Sequence, residues 1–78
     1  MAHRKKPRIA RWPVASSVIR AVGYDPARRA LDVEFRSGQV YRYENVESAV
    51  YKEFMAAESK GRFFNLHIQY AYEFERLT

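Results

Sequence analysis

The sequence predicts an α+β fold: an antiparallel sheet of three to four strands, in the order β-β-β-α-β, with one main helix packed on it. Three observations predict it. Between positions 16 and 44, β-branched and alternating stretches are separated by two turn signals. Positions 47–60 change to helical spacing. The tail then returns to alternation.

The elements follow in order. Ser16 to Tyr24 is β-branched and partly alternating, a strand. Asp25-Pro26-Ala27-Arg28 is a turn, with Pro where its fixed φ fits the second turn position. Leu31, Val33 and Phe35 alternate with Asp32, Glu34 and Arg36, which makes a strand with one buried face. Val40 to Glu44 is a third strand after a turn at Ser37-Gly38. The register of this hairpin decides where Tyr41 and Tyr43 point. A two-residue turn sets Tyr41 opposite Glu34, on the polar face. A three-residue loop, with Gly38 left-handed, sets Tyr41 opposite Val33 and Tyr43 opposite Leu31. A single Gly in third place favours the longer loop.

Glu47 to Lys60 reads as the helix. Asn45 is a nearby N-cap candidate, Glu47 suits the first turn, and Gly61 suits the residue past the end. Val50, Phe54 and Ala57, with Tyr51 beside them, form the apolar stripe. In the tail, Phe64, Ile68 and Tyr72 recur at helical spacing, whereas Tyr72 to Leu77 alternates. A short helical turn near Phe63–His67 and a final strand near Tyr72–Leu77 satisfy both patterns.

With 78 residues and no cysteine, the chain is one domain, held by ordinary packing and without disulfides or thiolate metal sites. A chain this short buries only about 60% of its unfolded surface. Six Tyr, five Phe and Trp12 supply the large apolar areas that compensate. No apolar run approaches membrane-spanning length, and no h-region follows the charged start. A cytoplasmic location, a monomer, no membrane contact and no cofactor are therefore expected.

The net charge of +5 is unevenly placed. Residues 1–14 hold Arg4, Lys5, Lys6, Arg8 and Arg11 and no acid, while residues 15–78 carry nine basic and nine acidic side chains. The expected organisation is a basic, flexible arm over 1–14 and a neutral domain over 15–78. Extended, the first twelve residues would reach about 40 Å.

An ordered set of residues carries a family resemblance. It runs Ser16-Ser17 with Ile19, Val22-Gly23-Tyr24-Asp25, then Leu31, Val33, Phe35 and Gly38. Tyr41-Arg42-Tyr43 follows, then Val46, Val50-Tyr51, Ser59-Lys60-Gly61, Phe64-Asn65, Ile68, Tyr72 and Arg76-Leu77. Over about residues 16–77 this resembles the KTSC domain, a module at the C-terminus of some lysyl-tRNA synthetases. The family also occurs as small stand-alone proteins of bacteria and phages. Glu47 stands where the family often has Pro, and Gln69 where a basic residue often follows the Ile. The resemblance implies the fold and a role in RNA binding.

Catalysis is not expected. His67 is the single histidine of the domain, and the serines fall near turns and element ends, where capping explains them. His67 is expected to be partly buried, packed beside Phe63 or Phe64. One histidine without cysteine cannot build the usual zinc sphere. Binding residues are easier to name. Arg4, Lys5, Lys6, Arg8 and Arg11 could meet nucleic-acid phosphates while Trp12 stacks on a base. Trp12 could equally close the edge of the core. Tyr41 and Tyr43 are either a stacking platform or core. Arg42, between them, points to the opposite face, where it could meet Arg20 in a cationic patch that Glu34 or Glu44 would neutralise. Lys60, Arg62 and Asn65 form a further contact or merely cap helix ends.

Two partners fit. One is RNA. The other is a nucleic-acid-associated protein complex such as RNA polymerase, on which a phage-type regulator would dock to modulate transcription in a bacterial cell. The neutral charge of residues 15–78 favours the second, because a nucleic-acid binder usually carries a basic face on its fold.

Overall fold

Alternation in the sequence becomes a twisted antiparallel sheet in the computed structural model, which describes residues 7–78. The elements are β1 (Trp12–Pro13), β2 (Ile19–Asp25), β3 (Ala30–Phe35), β4 (Val40–Tyr43), α1 (Ser48–Ala56), α2 (Lys60–His67) and β5 (Phe74–Arg76). The five strands lie in the order β1-β2-β3-β4-β5. The α+β class is as expected. The sheet gains a fifth strand, β1, and the single main helix is replaced by two.

The turns explain the strand pairing. Asp25 accepts from the Ala27 N–H at 3.0 Å, fixing the first hairpin. Gly38 has φ 100 and donates to the Phe35 carbonyl at 2.9 Å, so the second hairpin uses the three-residue loop. Val33 therefore opposes Tyr41 and Leu31 opposes Tyr43, the core-facing register. Asn45 does not cap α1. It sits at φ 60, a left-handed position that Asn tolerates, and Glu47 stands at the cap without a side-chain bond.

The helical stretch breaks at Ala57, whose ψ of 140 is extended. Ser59 then restarts it, its hydroxyl accepting from the Arg62 N–H at 3.2 Å. Lys60 ties the two helices by donating to the Ala57 carbonyl at 2.8 Å. Gly61 consequently lies in the first turn of α2 and not past a helix end.

One face of the sheet packs on the helices. Ile19, Val22, Leu31, Val33, Tyr43 and Val46 meet Phe54, Phe64 and Ile68 in the core. Tyr24 stacks on Tyr51 with ring centres 4.6 Å apart, and its hydroxyl donates to the Val46 carbonyl at 2.6 Å.

The other face is covered by the basic segment. Because Leu31 and Val33 face the helices, Asp32 and Glu34 face away from them. Residues 7–11 run across this second face. Ile9 is buried there. A Cβ on Gly23 would stand 2.2 Å from the Ala10 carbonyl oxygen, so only glycine permits the approach. The expected free arm over 1–14 is thus corrected for its second half: from Pro7 onward it packs on the domain. Arg4, Lys5 and Lys6 lie outside the described residues.

Candidate functional site

The sheet's second face holds the first test of the expected contacts. Arg42 does not form a cationic patch with Arg20. Its Nε donates to Asp32 Oδ1 at 2.6 Å and its Nη2 to Asp32 Oδ2 at 3.0 Å. Nη2 also donates to the Pro7 carbonyl at 2.8 Å. Asp32 is 0% and Arg42 7% exposed. The hydrogen bond to Asp32 raises the Arg42 pKa further above its ordinary value, outweighing burial. Arg42 is therefore a structural residue sealed beneath the basic segment, and it is withdrawn as a contact.

The other cations divide. Arg11 lies 3.1 Å from Glu34 Oε1 and 3.7 Å from Asp32 Oδ2. Arg20 shares the same Glu34 at 3.5 Å and donates to the Arg36 carbonyl. Glu34 thus neutralises part of this face. Arg8 is exposed and lines a shallow basin with Pro7, Arg76 and Leu77. Trp12 is 70% exposed on the β1 edge, so it does not close the core. It opposes Val22, at the far edge of the sheet from β4 and β5. Lys60 is engaged as a helix tie, and Arg62 is exposed.

The helix side of the sheet holds a groove. The helices cover the middle of the sheet and leave Tyr41 half-buried and Phe74 51% exposed. Phe35, Tyr41, Tyr43 and Phe64 line the apolar part of a cleft of about 480 Å³, and Arg36, Gln39, Asn65 and Gln69 line its polar part. No carboxylate lines it. The rings hold one another. Tyr41 stacks on Phe74 at 5.4 Å and on Tyr43 at 6.4 Å, and meets Phe35 edge-on at 5.9 Å. Burial foremost, and then the neighbouring Tyr41, raises the Tyr43 phenol to a pKa of about 12. Ser17, Val18, Gly61 and Asn65 also line a second basin, so the cleft continues to Lys60 and Arg62.

The structure therefore joins Tyr41, Lys60, Arg62 and Asn65 along one trough and sets Trp12, Arg8 and Arg20 elsewhere. Gln39, Gln69 and Phe74 escaped the sequence reading as site residues, since no spacing marks an amide in a loop. His67 packs against Phe63 at 4.7 Å, as expected, but it is exposed and not partly buried. Among the described residues, no group of three or more His, Cys, Asp or Glu is placed to hold a metal ion. Among the same residues, no helix is long and apolar enough to cross a membrane.

Comparison with known proteins gives four results. A family model described as the KTSC domain matches residues 15–72. The chain is similar to an uncharacterised protein of Stutzerimonas stutzeri, 47% identical over 55 residues, covering 70% of this chain and 78% of that one. It is also similar to a lysine–tRNA ligase of Nostoc, 37% identical over 62 residues, which is 80% of this chain and 11% of the ligase. In three dimensions it resembles the crystal structure of a KTSC domain protein from Yersinia pestis. The TM-score there is 0.86 at 39% identity, over 91% of this chain and all of the other.

Proposed function

The chain belongs to the KTSC domain family, and from that premise we propose that it is a non-enzymatic module that binds single-stranded RNA, free or within an RNA-handling machine. The observation that carries this reading is the aromatic cleft, which no carboxylate lines, with Arg36 in its wall and Lys60 and Arg62 beside Glu58 in the basin that continues it. Unpaired bases stack on exposed aromatic rings, and neighbouring cations meet the phosphates between them. Arg8 and the basic residues Arg4, Lys5 and Lys6 that precede it add sequence-independent attraction. The kinship with part of a tRNA ligase is in keeping with an RNA partner.

The test is fluorescence anisotropy of labelled single-stranded RNA across a range of salt. Four cations, Arg4, Lys5, Lys6 and Arg8, would contribute about −2.8 to the log–log salt slope on a single strand, beyond what the cations of the cleft add. A chain starting at Pro7 should show a slope shallower by about 2, because three of the four are gone. No binding at low salt would refute the reading.

A second reading has its own support. Arg11, Arg20, Arg28 and Arg42 are all paired with carboxylates of the domain itself. That leaves the sheet with little net field, which suits docking on a protein such as RNA polymerase, as a phage-type regulator of transcription would. Stable association with purified bacterial RNA polymerase, in the absence of RNA binding, would favour it.

A further inference from the structure

We infer that Gln39 and Gln69 read the identity of one unpaired nucleobase held in the aromatic trough. This rests on the RNA reading above and adds sequence preference to it. The two residues enter the same cleft from different walls. Gln39 follows the left-handed Gly38 at the tip of the β3–β4 hairpin, and Gln69 follows the end of α2. Their main chains are fixed: the Gln39 carbonyl accepts from the Phe35 N–H at 2.9 Å, and the Gln69 N–H donates to the Phe64 carbonyl at 2.9 Å.

Their side chains are not spent on the fold. Both are half-buried, yet among the described residues neither side chain makes a hydrogen bond. Their amide atoms stay open to water, so both donors and the acceptor are free for a ligand. A carboxamide also presents a donor and an acceptor in one plane, as the Watson–Crick edge of a base does. The half-buried rings of Phe35 and Tyr41, backed by the buried Tyr43, supply the apolar floor for the base.

Charge selects the class of ligand. Arg36 lines the cleft, and no carboxylate does, so an anionic group such as a phosphate is favoured beside the base. The cleft volume of about 480 Å³ lies within the usual range for a small ligand, which suits one nucleotide and not a stacked run.

The experiment measures affinities of the full chain for equal-length oligomers of U, A, C and G by fluorescence anisotropy. Wild type should prefer one of the four by roughly 10-fold, the discrimination expected of a paired amide. Gln69→Leu, and separately Gln39→Leu, should reduce that preference to within about 2-fold. Tyr41→Ala should weaken all four alike, by roughly 10-fold or more, through lost stacking. Thermal unfolding of each variant confirms that it folds; should one variant fail to fold, the other decides. A wild type that binds all four equally, or glutamine variants that keep the wild-type preference, overturns this inference and leaves RNA binding standing. No binding of any oligomer by wild type overturns the RNA reading itself.

Discussion

Replacing Asp32 by Ala should cost this domain a large part of its stability. Asp32 is fully buried and takes two charged hydrogen bonds from Arg42, at 2.6 and 3.0 Å, with Arg11 3.7 Å away. Its removal leaves a guanidinium that is 7% exposed and, among the described residues, keeps a hydrogen bond to the Pro7 carbonyl but loses both to a carboxylate. Breaking one side of a buried pair costs about 3–5 kcal/mol. At about 0.05–0.15 kcal/mol per residue, the whole domain is stable by roughly 4–12 kcal/mol. Asp32→Ala should therefore be close to unfolding at room temperature, with Tm lowered by roughly 12 °C or more. The double variant Asp32→Leu/Arg42→Met removes both charges and should recover to within about 2 kcal/mol of wild type, because apolar packing replaces the pair. Urea unfolding followed by circular dichroism measures all three. The double variant should also bind RNA within about 2-fold of wild type, since Arg42 faces no solvent. A loss under about 1 kcal/mol in Asp32→Ala, or a double variant that folds yet loses RNA affinity, would refute the structural role of Arg42.

Three further outcomes are expected. Gly23→Ala should displace the Pro7–Arg11 segment, because its Cβ would meet the Ala10 carbonyl oxygen at 2.2 Å. Cleavage after Arg8 or Arg11 by trypsin should accelerate, and stability should fall by about 1–3 kcal/mol. Ser59→Ala should cost about 1 kcal/mol in chemical denaturation, since it removes the cap of α2. Tyr43 gives a pH dependence: its phenol is raised from 10.0 to about 12 in the fold. The folded state keeps that proton where the unfolded chain has released it, so stability is intact below about pH 10 and falls as pH rises toward 12. Tyrosinate absorbance in Tyr43→Phe against wild type should lack the last-titrating phenol, and its alkaline stability loss should be smaller.

Short-range chemistry made much of the fold legible. Gly38 fixed a three-residue loop, and from it came the pairing of Tyr41 with Val33 and of Tyr43 with Leu31. Both follow from residues a few positions apart. The basic segment defeated the same method. Its charges read as a solvated arm, and Ile9 is a single apolar residue without a period. The clue stood elsewhere, in Gly23, a glycine inside a strand whose missing side chain makes room for another backbone. Arg42 was placed correctly on the face away from the helices, but alternation cannot say that a distant segment will cover that face. The groove was half legible. Tyr41 and Asn65 stood out by residue type, whereas Gln39 and Gln69 line one cleft only because a hairpin tip and a helix end come together.

The basin lined by Pro7, Arg8, Arg76 and Leu77 has a consequence for how the polypeptide is threaded. It brings the first and the last of the described residues side by side, and the Leu77 N–H donates to the Val40 carbonyl at 2.7 Å. Over residues 7–78 the backbone is thus close to a closed ring. A short flexible bridge from the region of Thr78 to that of Pro7 would complete it with little loop-closure entropy. The ring could then be opened at the exposed Arg28–Arg29 turn, which would separate β2 from β3 in sequence while leaving them hydrogen-bonded neighbours. Such a circularly permuted chain would keep every native contact and exchange the local hairpin for a long-range one, so it should fold more slowly to the same structure.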